Sequence, residues 1–261
     1  MNNYIIPLIL TLCAGMSTLL GGFVTFFVKR NNLKALSIGL GFSAGVMVYV
    51  SLSELINEAA QMLSNFYSVI PAKALAFGGF FFGIIIAIII DYFIPDHIES
   101  DFLNTSKRCQ QRHKIRRAGL ITAMAVTLHN FPEGIATFLV SSQDLMLGVP
   151  VAIAIAIHNI PEGIAIALPI FHSTGKKRLA ILYSFLSGIS EPIGGLIGVL
   201  LLKTIMPEQT IGIMTAAVAG IMVYLSFDTL LPLAREYGEN HHVIIGIVSG
   251  MLIMSLGLIF L

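Results

Sequence analysis

Long apolar segments alternate with short polar ones along almost the whole chain. Eight apolar stretches stand out, at about 4–28, 36–62, 72–95, 118–140, 148–170, 179–203, 211–234 and 243–261. Each approaches or exceeds the roughly 20 residues that an α-helix needs to cross a hydrocarbon layer. The breaks are polar or carry Gly and Pro: Lys29–Lys34, Asn65–Pro71, Asp96–Arg117, Ser141–Leu147, His172–Arg178, Met206–Gln209 and Arg235–His242. All are short except the third. The pattern predicts an all-α polytopic membrane protein, with eight transmembrane helices in a single domain over residues 1–261.

Composition agrees with this. Charged residues make up 11% of the chain, against about 25% in a soluble domain. A net charge of +1 points to no nucleic-acid partner. The N-terminus has no basic region ahead of its apolar run, so 4–28 reads as a retained span and not as a cleaved signal. Cys13 lies in an apolar span and Cys109 in a basic loop, a spacing that resembles neither a zinc finger nor a disulfide framework.

Lys and Arg set the expected orientation. The first, third, fifth and seventh connections hold 3, 6, 3 and 1 of them, whereas the opposite side holds only Lys73 and Lys203. The positive-inside rule then puts the odd connections in the cytoplasm and both termini outside. The 96–117 segment is expected to be a solvated cytoplasmic loop carrying His97, Glu99, Asp101 and His113.

Two internal repeats interrupt the apolar background. His129-Asn130-Phe131-Pro132-Glu133-Gly134 returns as His158-Asn159-Ile160-Pro161-Glu162-Gly163, 29 residues later, in the middle of the next span. The second repeat is less obvious. Ala44–Leu55 in span 2 matches Ala219–Leu230 in span 7 at seven of twelve positions, and Gly15, Ser17, Gly21 and Gly22 in span 1 line up with Gly188, Ser190, Gly194 and Gly195 in span 6. Spans 1–3 thus read as a copy of spans 6–8. Three is an odd number, so the copies insert in opposite senses, giving a 3+2+3 plan with an inverted repeat. That plan is common among secondary transporters with a mid-membrane site.

The duplicated motif carries the chemistry. Ionisable groups at bilayer depth are costly and mark transport paths, and imidazole with carboxylate suits divalent transition metals. Residues four apart share a helix face, so His129 stands over Glu133 and His158 over Glu162. Asn130 and Asn159, three residues before each glutamate, extend the set. Pro132 and Pro161 each remove a backbone hydrogen bond. Gly134 and Gly163 allow close helix approach.

Other residues enter more weakly. Glu191, in Ser190-Glu191-Pro192, is mid-span and aligns with Thr18, so the repeat is broken where charge is needed. Met47 offers a thioether, although methionine in apolar helices is mostly packing. Glu54 and Asp228 fall near opposite ends of the bundle and suit relays on and off the path, or plain interfacial carboxylates. His172, His241 and His242 read as surface histidines, and Asp91 as a snorkelling or capping group.

The paired His-Asn-x-Pro-Glu-Gly motifs, Ser-Glu-Pro-Ile-Gly-Gly at 190–195 and Gly-Phe-Ser-Ala-Gly-Val-Met at 41–47 resemble the ZIP family of zinc and iron transporters, over essentially the whole chain. The resemblance implies a multi-pass protein of a bacterial cytoplasmic membrane, with zinc as substrate and Fe2+, Mn2+, Co2+ or Cd2+ as further candidates. It implies a binuclear site, with His129, Glu133, His158 and Glu162 near Met47 around one ion and Asn130, Glu133, Asn159, Glu162 and Glu191 around the other. It implies uptake by an elevator-like motion of one helix bundle against another, and no catalytic cofactor. The expected partners are divalent ions and the lipid bilayer, with a homodimer left open. Two other readings use the same residues. An exporter on this scaffold differs only in direction. An intramembrane metalloprotease needs a general-base glutamate next to its first histidine, where this chain has Asn130 and Asn159.

Overall fold

The computed structural model describes residues 4–93, 107–202 and 208–259. Within them every regular element is helical. We number the helical rods α1 (Ile5–Phe26), α2 (Leu33–Ser64), α3 (Val69–Tyr92), α4 (Lys107–Gln143), α5 (Leu145–Thr174), α6 (Lys177–Leu200), α7 (Gln209–Tyr237) and α8 (His241–Ile259). All but α4 are long and apolar enough to cross a membrane, seven among the described residues. The central His-Asn-Phe-Pro-Glu run dilutes the apolar content of α4, and its first turns are basic.

Local chemistry sets the ends. Asn32 accepts a hydrogen bond from the Ala35 N–H and caps α2, while Asp144 accepts from the Met146 N–H at 2.8 Å and caps α5. Only Asp144 separates α4 from α5, so the two run antiparallel as a tight hairpin. Gly175, at φ 74°, ends α5 in the left-handed conformation that glycine adopts without a Cβ penalty. Arg30 donates to the carbonyls of His172 and Ser173 at the same end.

Two departures from sequence expectation have physical causes. Lys107–Arg117 is helix and not loop, because this run has neither Gly nor Pro and is rich in straight-chain helix formers. The remainder of that loop, with His97, Glu99 and Asp101, lies outside the described residues, as does Lys203. His172 is no surface histidine. It is 4% exposed, with Nδ1 facing the Leu168 carbonyl and Nε2 facing that of Asn32.

The rods sort into two groups by contact. In the first, α5 packs on α1 and α4, and α4 packs on α6; in the second, α2 packs on α8 and α3 on α7. The groups meet where α2 lies on α5 and α4 on α7. One large apolar cluster, including Leu36, Leu40, Met47, Met222 and Leu225, fills the second group and runs into this seam. The outer surface is apolar too. Ile5, Phe27, Ile70, Phe81, Ile85 and Ile245 are each more than half exposed, a surface suited to lipid and not to water.

Both α2 and α7 contain one π-helical turn, at Ser51–Leu55 and Leu225–Leu230. These are the same positions of the sequence repeat. Such turns are rare and cluster at functional sites.

Candidate metal centre

The two motifs meet at the α4–α5 contact, and they pair crosswise. His129 Nε2 lies 2.8 Å from Glu162 Oε1, and His158 Nε2 lies 3.3 Å from Glu133 Oε2. Each histidine thus bonds the glutamate of the other helix and not the one a turn along its own. All four side chains are buried, His129 and Glu162 completely. Asn159 donates to Glu191 Oε2 at 2.7 Å and to the Ala14 carbonyl at 3.0 Å, bringing the α6 carboxylate to the cluster. Asn130, with its amide nitrogen turned towards the pair, donates to Glu162 Oε2 at 3.2 Å and to the Val126 carbonyl at 3.1 Å.

Small residues make this approach possible. A Cβ at Gly134 would strike the Glu191 carbonyl, and one at Gly163 the Thr18 carbonyl. Glu191 and Thr18 are repeat partners, so the two motifs seat against equivalent backbone. Gly15 and Gly188, also partners, face each other where α1 crosses α6; neither has room for a side chain.

The polar atoms around the cluster are left incomplete. Among the described residues His129 Nδ1, Glu133 Oε1, Asn159 Oδ1, Glu191 Oε1 and Thr18 Oγ1 are buried without a hydrogen-bond partner. An unpaired buried acceptor costs on the order of 1–3 kcal/mol, and more when charged. Four of the five are oxygens, and such a set fits a cation. The site is nevertheless not a finished cage: no three His, Cys, Asp or Glu side chains among the described residues are arranged to hold a metal together. The histidines and glutamates are closed on each other instead.

Other residues singled out in the sequence are scattered. Met47 is fully buried on α2; Ser43, one turn earlier on the same face, donates to the Pro161 carbonyl at 2.6 Å. Asp91 forms an ion pair with Arg117 at 3.4 Å, away from the central cluster. Asp228 is exposed in the π-turn of α7, and His241 is exposed at the start of α8. Cys13 and Cys109 are free thiols. Glu54, by contrast, lines a cavity of about 180 Å³ together with Glu58, Glu133 and His158. Glu58 is the residue that the sequence pattern does not single out. Its one signal is its position four residues after Glu54, on the same helix face.

Comparison with known proteins bears on this cluster. The sequence pattern of the family described as ZIP Zinc transporter matches residues 99–257. A protein of Streptococcus mutans named Zinc transporter ZupT is 47% identical over 96% of this chain and 96% of its own length. Its namesake from Clostridium perfringens is 44% identical over 99% of this chain and 97% of its own. A third, from Akkermansia muciniphila, is 43% identical over 99% and 98%.

Proposed function

Because the chain belongs to the ZIP zinc transporter family, we propose that it takes zinc into the cell across a bacterial cytoplasmic membrane, through a binuclear site where α4 and α5 meet. The observation that carries this reading is the crossed pairing of His129 with Glu162 and His158 with Glu133, buried and ringed by unpartnered acceptors. Glu133 and Glu162 bridge the two ions. His129 and His158, with Met47 nearby, complete one sphere, and Asn130, Asn159 and Glu191 the other. Zinc is the main substrate, with Fe2+, Mn2+, Co2+ and Cd2+ as weaker ones, since His, Glu and Asn ligands accept several first-row ions.

Metal and protons compete in this site. A histidine coordinates only when neutral and a glutamate only when ionised. An arriving ion therefore displaces the proton held between Nε2 and the carboxylate. Three carboxylates at bilayer depth are tolerable only when cations or protons neutralise them.

The proposed architecture is eight spans in a 3+2+3 plan with an inverted repeat. The packing supports it, because exchanging α1 with α6, α2 with α7, α3 with α8 and α4 with α5 maps the contacts onto themselves. The α1–α5 contact becomes α6–α4, and α2–α8 becomes α7–α3. The paired π-turns support it as well. Alternating access then arises when the group holding the site, α1, α4, α5 and α6, moves against α2, α3, α7 and α8. Orientation follows the basic connections, with both termini outside.

The test is zinc uptake into proteoliposomes by the purified protein beside Glu133→Ala and Glu162→Ala. The expected result is saturable uptake by the intact chain that disappears in both variants. Equal uptake in the variants would sink the central site.

A further inference from the structure

Two connections meet at the end of the bundle opposite the α4–α5 turn. The α1–α2 connection supplies Lys29, Arg30 and Lys34, and the α5–α6 connection Lys176, Lys177 and Arg178. Arg30 fastens them together, donating to the carbonyls of His172 and Ser173. Lys177 adds a second tie, its ammonium lying 5.0 Å from the centre of the Phe26 ring and 5.9 Å from that of Phe171. Two of the six cations are thus engaged within the protein, while Lys176 and Arg178 are exposed. On the orientation proposed above, this end faces the cytoplasm.

No carboxylate is supplied from the same stretches of chain. Residues 1–53 and 163–190 contain neither Asp nor Glu. The basic start of α4, at the same end, differs: Lys114 pairs with Glu236 at 2.6 Å and Arg117 with Asp91 at 3.4 Å. Below Lys176 and Arg178 the surface is apolar. With Lys177, Leu179 and Leu182 they line an open depression of about 460 Å³ whose walls are almost wholly carbon. Lysine and arginine lay their stems on apolar surface and keep their charged ends in water. Phe27, one residue past α1 and 88% exposed, calls for lipid at this end of the bundle.

A surface that is cationic above and apolar below matches a phospholipid with a net negative head. Basic clusters beside the cytoplasmic ends of spans attract such lipids. We propose that Lys176 and Arg178 bind the phosphate of an anionic phospholipid, while Leu179 and Leu182 seat the start of one of its acyl chains. The zinc-uptake reading enters only in assigning the cytoplasmic leaflet. The site lies at the start of α6, in the group that holds the His–Glu pairs, so the lipid ties one end of that group to the leaflet. A free phosphate anion meets the same two cations but leaves the apolar depression unfilled. The lower half of the site therefore separates the lipid from the anion.

The experiment counts lipids on the purified protein by native mass spectrometry, with phosphatidylglycerol or phosphatidylcholine added in detergent. The intact chain is expected to hold phosphatidylglycerol more tightly than phosphatidylcholine. Lys176→Gln/Arg178→Gln should weaken that binding about thirtyfold, from roughly fivefold for each basic side chain at an anionic surface. Lys176→Arg/Arg178→Lys keeps both charges and should keep the lipid. Arg112→Gln/Arg116→Gln removes two charges from the start of α4 and should leave the binding unchanged. Equal loss in the two amide pairs would overturn the proposal, by reducing it to overall charge. Absence of a preference for phosphatidylglycerol in the intact chain would overturn it as well. So would displacement of the lipid by an equal concentration of glycerol phosphate, which has the anion without the chains. Loss of lipid from the charge-keeping variant would mark the two residues as structural and overturn it too. None of these counts requires zinc to move, so failure of the uptake reading and failure of the lipid site show separately.

Discussion

The two helix groups bury opposite kinds of interior. In α1, α4, α5 and α6 the buried side chains include His129, Glu133, His158, Glu162 and Glu191, with Asn130 and Asn159 between them. In α2, α3, α7 and α8 the buried polar side chains among the described residues are hydroxyls alone, Ser37, Ser43, Ser51, Ser226 and Thr229. Those hydroxyls that donate do so mainly to backbone carbonyls, as Ser51 does to Met47 and Ser226 to Met222. The first group therefore needs a cation or protons to be stable at bilayer depth, and the second does not. This division of labour is what the proposed motion of an ion-carrying body against an apolar partner requires.

The comparison breaks most violently at the glycines. Gly134 sits against the backbone of α6, whereas a Cβ at Gly78 on α3 would meet nothing within 4 Å. Gly134→Leu should cost more than about 3 kcal/mol, beyond ordinary overpacking, because a backbone carbonyl cannot repack. Little folded protein is expected by size-exclusion chromatography. Gly78→Leu should change stability by no more than about 1 kcal/mol, mostly through helix propensity. Equal tolerance at both positions, read by thermal unfolding in detergent, would refute the close approach of α4 to α6.

The next contrast is internal to the repeat. Glu191→Thr makes α6 match Thr18 of α1. One fewer zinc ion should bind per chain, and uptake should fall at least about tenfold, the scale on which metal sites lose affinity when their supporting groups go. Undiminished zinc stoichiometry would remove Glu191 from the site.

Much of this is legible in residue type and spacing alone: the eight apolar stretches, the duplicated motif and the broken symmetry at Glu191. The crossed pairing is not. Period-3.6 reasoning puts His129 over Glu133, but the α4–α5 hairpin brings Glu162 closer, and only tertiary packing decides between them. The π-turns are equally hidden, since no composition distinguishes them from α-helix. His172 misleads because the loop signal of Gly175 lies only three residues on, while its burial depends on Asn32, 140 residues away. Glu58 looks like one more carboxylate near a helix end until the opposing wall supplies Glu133.

Protonation sharpens the division between the groups, because the buried histidines among the described residues all lie in the first. Uptake should fall several-fold from about pH 7.5 to about pH 5.5, because protons compete with the metal for the imidazoles and carboxylates of the proposed site. The direction is fixed: acid favours the closed His–Glu pairs over the metal. A flat profile across that range in proteoliposomes would exclude His129 and His158 as ligands.

The smallest effect comes from a matched pair on the second group. Met47 and Met222 are repeat partners, and both are fully buried in the apolar cluster. Replacing either with Leu conserves volume and should cost less than about 1.5 kcal/mol. If packing were their whole role, Met47→Leu and Met222→Leu would leave metal preference alike. If Met47 touches the substrate, its soft sulfur favours cadmium over zinc, and Met47→Leu alone should lower cadmium uptake relative to zinc by a few-fold. Competition between the two ions in proteoliposomes reads this directly. Met222→Leu supplies the control, because it holds the matching position of the sequence repeat with the same burial.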